Sequence, residues 1–267
     1  MNIVKYILLC FILVIMIFPL AWMFRVSFMP ANIDASFENI LSGEFVLASY
    51  LDLFRSGNMF IYLFNSFFVG IIVTLGNILF CFMVGYAFSR YRFVGKDIWF
   101  YSTIFVLMLP AHVVIIPLYL MIYKAGMYDT YWALILPFLV NPIGIFLVKQ
   151  YIDSLPPSME EAARIDGAGE LTILFRIVMP LCKPALAVLA IQSFMTNWNS
   201  FLFPLILTSS ESVRTLPIGL ALYQGHQAID WPHLMAGSSL AVLPILVVFL
   251  FFQRHIVSGI TAGAIKQ

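Results

Sequence analysis

Residues 153–184 read DSLPPSMEEAARIDGAGELTILFRIVMPLCKP, the one long polar stretch between two apolar blocks. Pro156 and Pro157 stop whatever precedes them, because proline lacks the N–H that a helix interior needs. Ser158, followed three residues later by Glu161, matches a capping box and predicts the start of a new short helix. Gly167 and Gly169 predict its end. Between these signals Ala162 and Ala163 give a small side-chain face that lets a foreign groove come close to the backbone. Glu160, Glu161, Arg164 and Asp166 supply charges that can meet a charged rim around it. The natural use of such a helix is as a docking knob.

Outward from this segment the chain is apolar. Of its 267 residues 62% are hydrophobic and 10% charged, where a soluble domain carries about 25% charged residues. The mean hydropathy of +0.98 agrees, and the class is a membrane protein. The net charge of +1 gives no basic excess for nucleic acid. Cys10, Cys81 and Cys182 are far apart in the chain, without metal-type spacing, so free thiols, no disulfide and no zinc are expected. At the N-terminus the apolar run from Ile3 to Phe24 is long enough, at about 33 Å as a helix, to cross a bilayer. No small-residue cleavage site follows it, which predicts a retained first transmembrane helix rather than a signal peptide.

A charge at the centre of the hydrocarbon costs at least ~2.5 kcal/mol, so charge-free intervals locate the spans. Six are expected, at 3–24, 63–88, 98–123, 130–148, 184–207 and 234–253. His112 in the third is read as a core or kink position, and Pro137 and Pro142 break the fourth. With the N-terminus inside, ten of the fourteen Lys and Arg residues fall on the inner side and four on the outer. Both termini and the 150–183 loop are then cytoplasmic. A single membrane domain over 1–267 follows, with a core at 63–253 and a cytoplasmic tail at 254–267.

The connections carry their own expectations. Residues 25–62 form an external segment with short helices, Asp34 among its charges. Arg90, Arg92 and Lys96, in the tight inner turn, are read as lipid head-group contacts. Leu171, Leu174, Phe175 and Val178 recur at helical spacing, which predicts that 170–179 lies on the membrane surface with that face down. The fifth span carries Gln192, Ser193, Thr196, Asn197, Trp198, Asn199 and Ser200, polar groups that must face protein or a water-filled path. In the external segment 208–233, Trp231 and His233 mark the return to lipid, and His226 and His233 are taken as structural rather than metal-binding.

Glu161-Ala162-Ala163, then Gly167, then Ile177-Val178-Met179-Pro180 resembles the EAA signature of the membrane subunits of ATP-binding-cassette importers, with Met179 where the family usually has Leu. The segments Tyr86-Ala87-Phe88-Ser89-Arg90, Leu109-Pro110, Asp129 to Pro137 and Asn197 to Leu205 look like the carbohydrate-uptake, maltose-type branch. The resemblance covers most of residues 63–267. It implies an all-α type I importer permease fold of six transmembrane helices in a bacterial or archaeal plasma membrane, as a multi-pass protein. It also implies a coupling role for Glu160, Glu161, Ala162, Ala163, Arg164, Asp166 and Gly167, with Glu161 in a salt bridge to an ATPase; the alternative is that Glu161 only caps its own helix.

The implied partners are a second homologous permease, two cytoplasmic ATP-binding-cassette ATPases, an external solute-binding protein, a carbohydrate and membrane lipid. The chain has no G-x-x-x-x-G-K-[ST] loop, so ATP and Mg belong to the ATPase and this chain is expected to bind no cofactor and to catalyse no reaction. Asn197, Trp198 and Asn199 then border a substrate pathway, or else they serve only interhelical packing. The tail from Gly259 to Gln267 reaches the ATPase in some members of the family, or else frays. Outside this class, a secondary transporter of a small polar solute would need ionisable groups near mid-membrane, and a membrane enzyme would need a cluster of nucleophile, base or metal ligands.

Overall fold

The computed structural model describes residues 2–30, 36–55, 58–224 and 229–264, the last of these as backbone alone beyond Leu250. Among the described residues there is no β-strand. A chain this apolar must satisfy its backbone hydrogen bonds internally, which helices do within each segment. The helices are α1 (Asn2–Ser27), α2 (Phe37–Ser42), α3 (Ala48–Arg55), α4 (Asn58–Arg90), α5 (Lys96–Val106), α6 (Ala111–Lys124), α7 (Tyr131–Ile135), α8 (Pro142–Asp153), α9 (Ser158–Ile165), α10 (Glu170–Thr172), α11 (Met179–Leu181), α12 (Lys183–Trp198), α13 (Leu202–Leu207), α14 (Leu216–Ala221) and α15 (Trp231–Ala264). A wide i→i+5 turn, Ile173–Val178, joins α10 to α11.

Among the described residues four segments are long and apolar enough to cross a membrane: Ile3–Ser27, Asn58–Arg90, Tyr131–Asp153 and Trp231–Leu250. Two bent pairs raise the number to as many as six, α5 with α6 at 105° and Glu170–Leu181 with α12 at 78°. The regular third span expected over 98–123 is therefore bent. Pro110 has no N–H to continue α5, and it disfavours helical backbone at Leu109 before it. It instead stands in extended conformation as the N-cap of α6. His112, just beyond the bend, is exposed, so it is no core residue.

The fifth expected span also ends early, α12 stopping at Trp198 instead of running to 207. Pro204 would clash with the carbonyl four residues before it, at Ser200, so a helix cannot pass unbroken through that point. The proline sits instead in the first turn of α13, where its missing N–H costs nothing. At the C-terminus the backbone stays helical to Ala264, past the boundary expected at Arg254-His255. Charges mark where a span leaves lipid, and they do not by themselves stop a helix. Ile265, Lys266 and Gln267, and also Asp34 and His226, lie outside the described residues.

Within the single domain expected over 1–267, the residues group into two compact units, Met1–Asn65 with Arg214–Val247, and Ser66–Val213 with Val248–Gln267. In the first, α1 is exposed all round from Ile3 to Ala21, and only its end joins a core. There Val26 and Met29 pack with Ile40, Trp22 and Met235. The short helices expected in 25–62 are α2 and α3. Arg25 holds the segment after α1, donating to the Gly43 carbonyl at 2.6 Å and lying 4.3 Å over the Phe45 ring. His233 lies parallel to the Tyr223 ring and 2.7 Å from Asp230. No group of three metal-ligating side chains occurs among the described residues.

In the second unit α4, α8 and α12 enclose a core of Cys81, Phe82, Tyr86, Ile145, Val148 and Leu189. Small residues let these helices approach. A Cβ on Gly85 would stand 2.9 Å from Val148 and 3.1 Å from the Lys149 backbone nitrogen, and one on Gly144 would stand 2.7 Å from Leu189. The break at Pro137 and Pro142 is real, and its loose backbone groups find partners: Asn77 donates to the Phe138 carbonyl at 2.7 Å, and the Asn141 side chain accepts from the Ile143 N–H at 2.9 Å. At another turn Asp129, with φ 59°, accepts from the Ser209 and Ser210 N–H groups at 2.8 and 2.9 Å. Burial pushes this carboxyl up, but those two N–H bonds together with the Ser209 and Ser210 hydroxyls outweigh it and hold it below the usual carboxylate range.

The segment after α9 departs from the surface helix expected over 170–179. Ile173, Leu174 and Val178 are buried in the α4–α8–α12 core, while Leu171 is 71% exposed. Leu174, Phe175 and Val178 keep the common face that their spacing predicts, but through the i→i+5 turn that face, joined by Ile173, meets the chain's own core. That packing fixes the distal end of the polar segment that carries α9.

Candidate functional site

The polar helix forms where its sequence signals lie, but it starts differently from expectation. Pro157 takes helical angles, φ −64° and ψ −23°, and no side chain caps the helix. Ser158 is thus already inside the first turn, where it cannot adopt the extended conformation of an N-cap, and the expected capping box is not made. The far end is built as the glycines predict. Gly167 has φ +83°, its N–H reaches the Arg164 carbonyl at 3.1 Å, and the Ala168 N–H reaches the Ala163 carbonyl at 2.9 Å. This pair of bonds is a Schellman closure, which needs a left-handed residue at its turn.

The eight residues of α9 divide cleanly into two faces. Glu160 is 4% exposed and Ala163 is half-buried toward the core, whereas Ser158, Met159, Glu161, Ala162, Arg164 and Ile165, and Asp166 just past the helix, are exposed. Glu161 and Ile165 are one turn apart, so an acid and an isoleucine that is 86% exposed stand side by side. Arg164 reaches forward to Glu170 at 2.9 Å. The expectation that Glu160 meets a partner's rim is corrected by its surroundings. Its Oε1 accepts from Arg90 Nε at 2.6 Å, and its Oε2 accepts from the Tyr86 hydroxyl at 3.0 Å.

Arg90 is corrected by the same bond: it is committed to protein instead of lipid head groups, and it also donates to the Leu155 carbonyl at 2.9 Å. Sequence reasoning missed Tyr86, Ser89, Arg90 and Tyr91 as parts of this site. The available signal was the pair Glu160-Glu161 on a short helix, since adjacent acids face different ways and one of them must turn toward the chain.

The polar cluster at the end of α12 is a separate site in the same unit. Asn197 donates to the Ser193 carbonyl at 3.0 Å and Asn199 to the Met195 carbonyl at 2.9 Å, each bonding one turn back along its own helix. Asn199 is exposed and Asn197 half-buried. Trp198 is 2% exposed, with its ring 4.7 Å from Phe67 and stacked at 5.6 Å on Phe194. Its expected place on a pathway is therefore corrected to an aromatic core, because an indole this buried, in contact with both rings, presents no face to a solute.

The described residues are helical, with segments long and apolar enough to cross a membrane and one short, two-faced polar helix between them. The chain belongs to the family of binding-protein-dependent transport system inner membrane components, whose model matches residues 78–262. It is a multi-pass membrane component of a transporter. The arabinooligosaccharides transport system permease protein AraQ of Halalkalibacterium halodurans is 36% identical over 96% of this chain and 93% of its own length. The trehalose/maltose transport system permease protein MalG of Thermococcus litoralis is 35% identical over 95% and 92%. A chain of a bacterial ABC transporter involved in the import of the polysaccharide alginate shares the fold, with a TM-score of 0.82 at 22% identity, over 95% of both chains.

Proposed function

We propose that this chain is one of two permease subunits of an ATP-driven importer of oligosaccharides or related carbohydrates in a prokaryotic plasma membrane. The carbohydrate class is supported by relatives named for arabino-oligosaccharides and for trehalose and maltose. In this reading the chain crosses the membrane six times with both termini in the cytoplasm. A second homologous permease completes the pathway, an external solute-binding protein delivers the carbohydrate, and two cytoplasmic ATPases bind ATP with its magnesium. The permease itself catalyses no reaction. Residues 156–169 couple closure of the ATPases to opening of the pathway toward the outside.

The observation that carries this proposal is the exposed face of α9, where Glu161, Ala162 and Ile165 stand clear of the chain before the Gly167 turn. Small, acidic and apolar groups side by side suit a groove with an apolar floor and a basic rim. Glu161→Lys puts a like charge against that rim and is expected to lower sugar uptake at least about tenfold, since like charges facing each other across an interface cost several kcal/mol. Uptake and the amount of permease in the membrane are measured together. Normal uptake at a normal level removes the salt bridge.

Topology supplies a second test. Reporter fusions after Gln150 and after Ser209 are expected to report opposite sides, and a common side overturns the six-span arrangement. A secondary transporter couples to ions through groups within its spans. Among the described residues, three ion pairs gather around α9 in the polar segment, which favours a docked energy source.

A further inference from the structure

We propose that Arg90 is a positioning residue for coupling, so that α4 and the docking helix α9 move as one body. The inference rests on the importer reading above and adds to it the helix that receives the motion. Three consecutive residues at the foot of α4 each hold a different carboxylate from the polar segment. Ser89 Oγ donates to Asp153 at 2.6 Å, Arg90 Nε to Glu160 at 2.6 Å, and the Tyr91 hydroxyl to Glu170 at 3.0 Å. The three carboxylates come from the end of α8, from α9 and from the start of α10. One short foot therefore fixes the stretch before, within and after the docking helix.

The three links are unequal. Lys149–Asp153 and Arg164–Glu170, the ion pairs that share the outer carboxylates, are partly or largely open to solvent, with Asp153 37% and Glu170 50% exposed. Exposed pairs of this kind contribute little. The central pair has side chains only 14% and 5% exposed, and Tyr86 takes the second Glu160 oxygen. Any shift of α9 against α4 would strip Glu160 of both partners in a site largely closed to water. That cost makes sliding unfavourable and rigid motion the easier course. Because such a pair specifies geometry more than it stabilises, an apolar replacement of similar volume is compatible with folding but releases the register.

The test uses the whole complex, with the permeases, the ATPases and the binding protein, reconstituted in vesicles. Sugar transported per ATP hydrolysed is the readout, and assembly is followed by co-purification. The double variant Arg90→Met with Glu160→Leu is expected to assemble and to lose about tenfold in that ratio, since the register and not the fold depends on the pair. The exchanged pair, Arg90→Glu with Glu160→Arg, is expected to recover part of it. A double variant with the wild-type ratio overturns the proposal. If it fails to assemble, Tyr86→Phe decides: losing one hydrogen bond to a buried carboxylate is expected to lower the ratio about threefold, and an unchanged ratio overturns the proposal. A wild-type complex without ATP-dependent transport would instead remove the importer reading itself.

Discussion

Gly167→Pro is expected to reduce transport at least about tenfold in membranes that hold the protein at its normal level, because the closure of α9 cannot form around a proline. The native φ is +83°. Proline is fixed near −65° and lacks the N–H that Gly167 gives to the Arg164 carbonyl. The neighbouring bond from Ala168 to the Ala163 carbonyl depends on the same turn. Gly167→Ala separates backbone from contact effects, since nothing lies within 4 Å of a Cβ at this position. Alanine meets only the left-handed penalty of about 1–2 kcal/mol, and it is expected to leave transport mostly intact. Equal transport by the wild-type and Gly167→Pro proteins would mean that α9 docks without its closing turn.

Trp198→Ala is expected to destabilise the permease by about 3–5 kcal/mol, the usual cost of emptying a buried aromatic site. The indole packs against both Phe67 and Phe194, from α4 and α12, and a methyl group in its place would leave most of that site empty. Thermal denaturation of the purified protein measures the loss directly. A transport defect in a variant of full stability would return Trp198 to the pathway. The prediction thus separates the two readings of the α12 polar cluster, in which Asn199 alone is exposed among the three expected site residues.

The sequence was most legible where structure is decided locally. The left-handed turn at Gly167 is set by residues within a few positions of it, and so is the break between Pro137 and Pro142. Pro156, Pro157 and Gly167 placed α9 for the same reason. Pro137 and Pro142 were read correctly as an interruption, whereas the fifth span was carried through Pro204, which acts on the backbone four positions earlier, so α12 ends before the proline itself. Pro110 does more than kink its span, because it also caps the helix that follows.

Glu160 shows what was not legible. Its partner Arg90 is 70 residues away, and both residues have plausible surface roles when each is read within its own segment. Only the packing of α9 against α4 turns one acid inward and leaves Glu161 outside. The surroundings of 173–178 were hidden similarly, since the helical spacing of Leu174, Phe175 and Val178 shows that they share a face but not that the face packs on α4, α8 and α12. In both cases the error made protein contacts into lipid or partner contacts, because the residue types suit either environment.

Driven transport through this chain is tested most directly by reconstituting the permease in vesicles with its companion permease, the two ATPases and the binding protein, and following a labelled arabino- or malto-oligosaccharide. Uptake is expected only with hydrolysable ATP on the face that carries α9 and binding protein on the other. Oligosaccharide uptake that persists without ATP, or that follows an imposed ion gradient instead, would contradict the account.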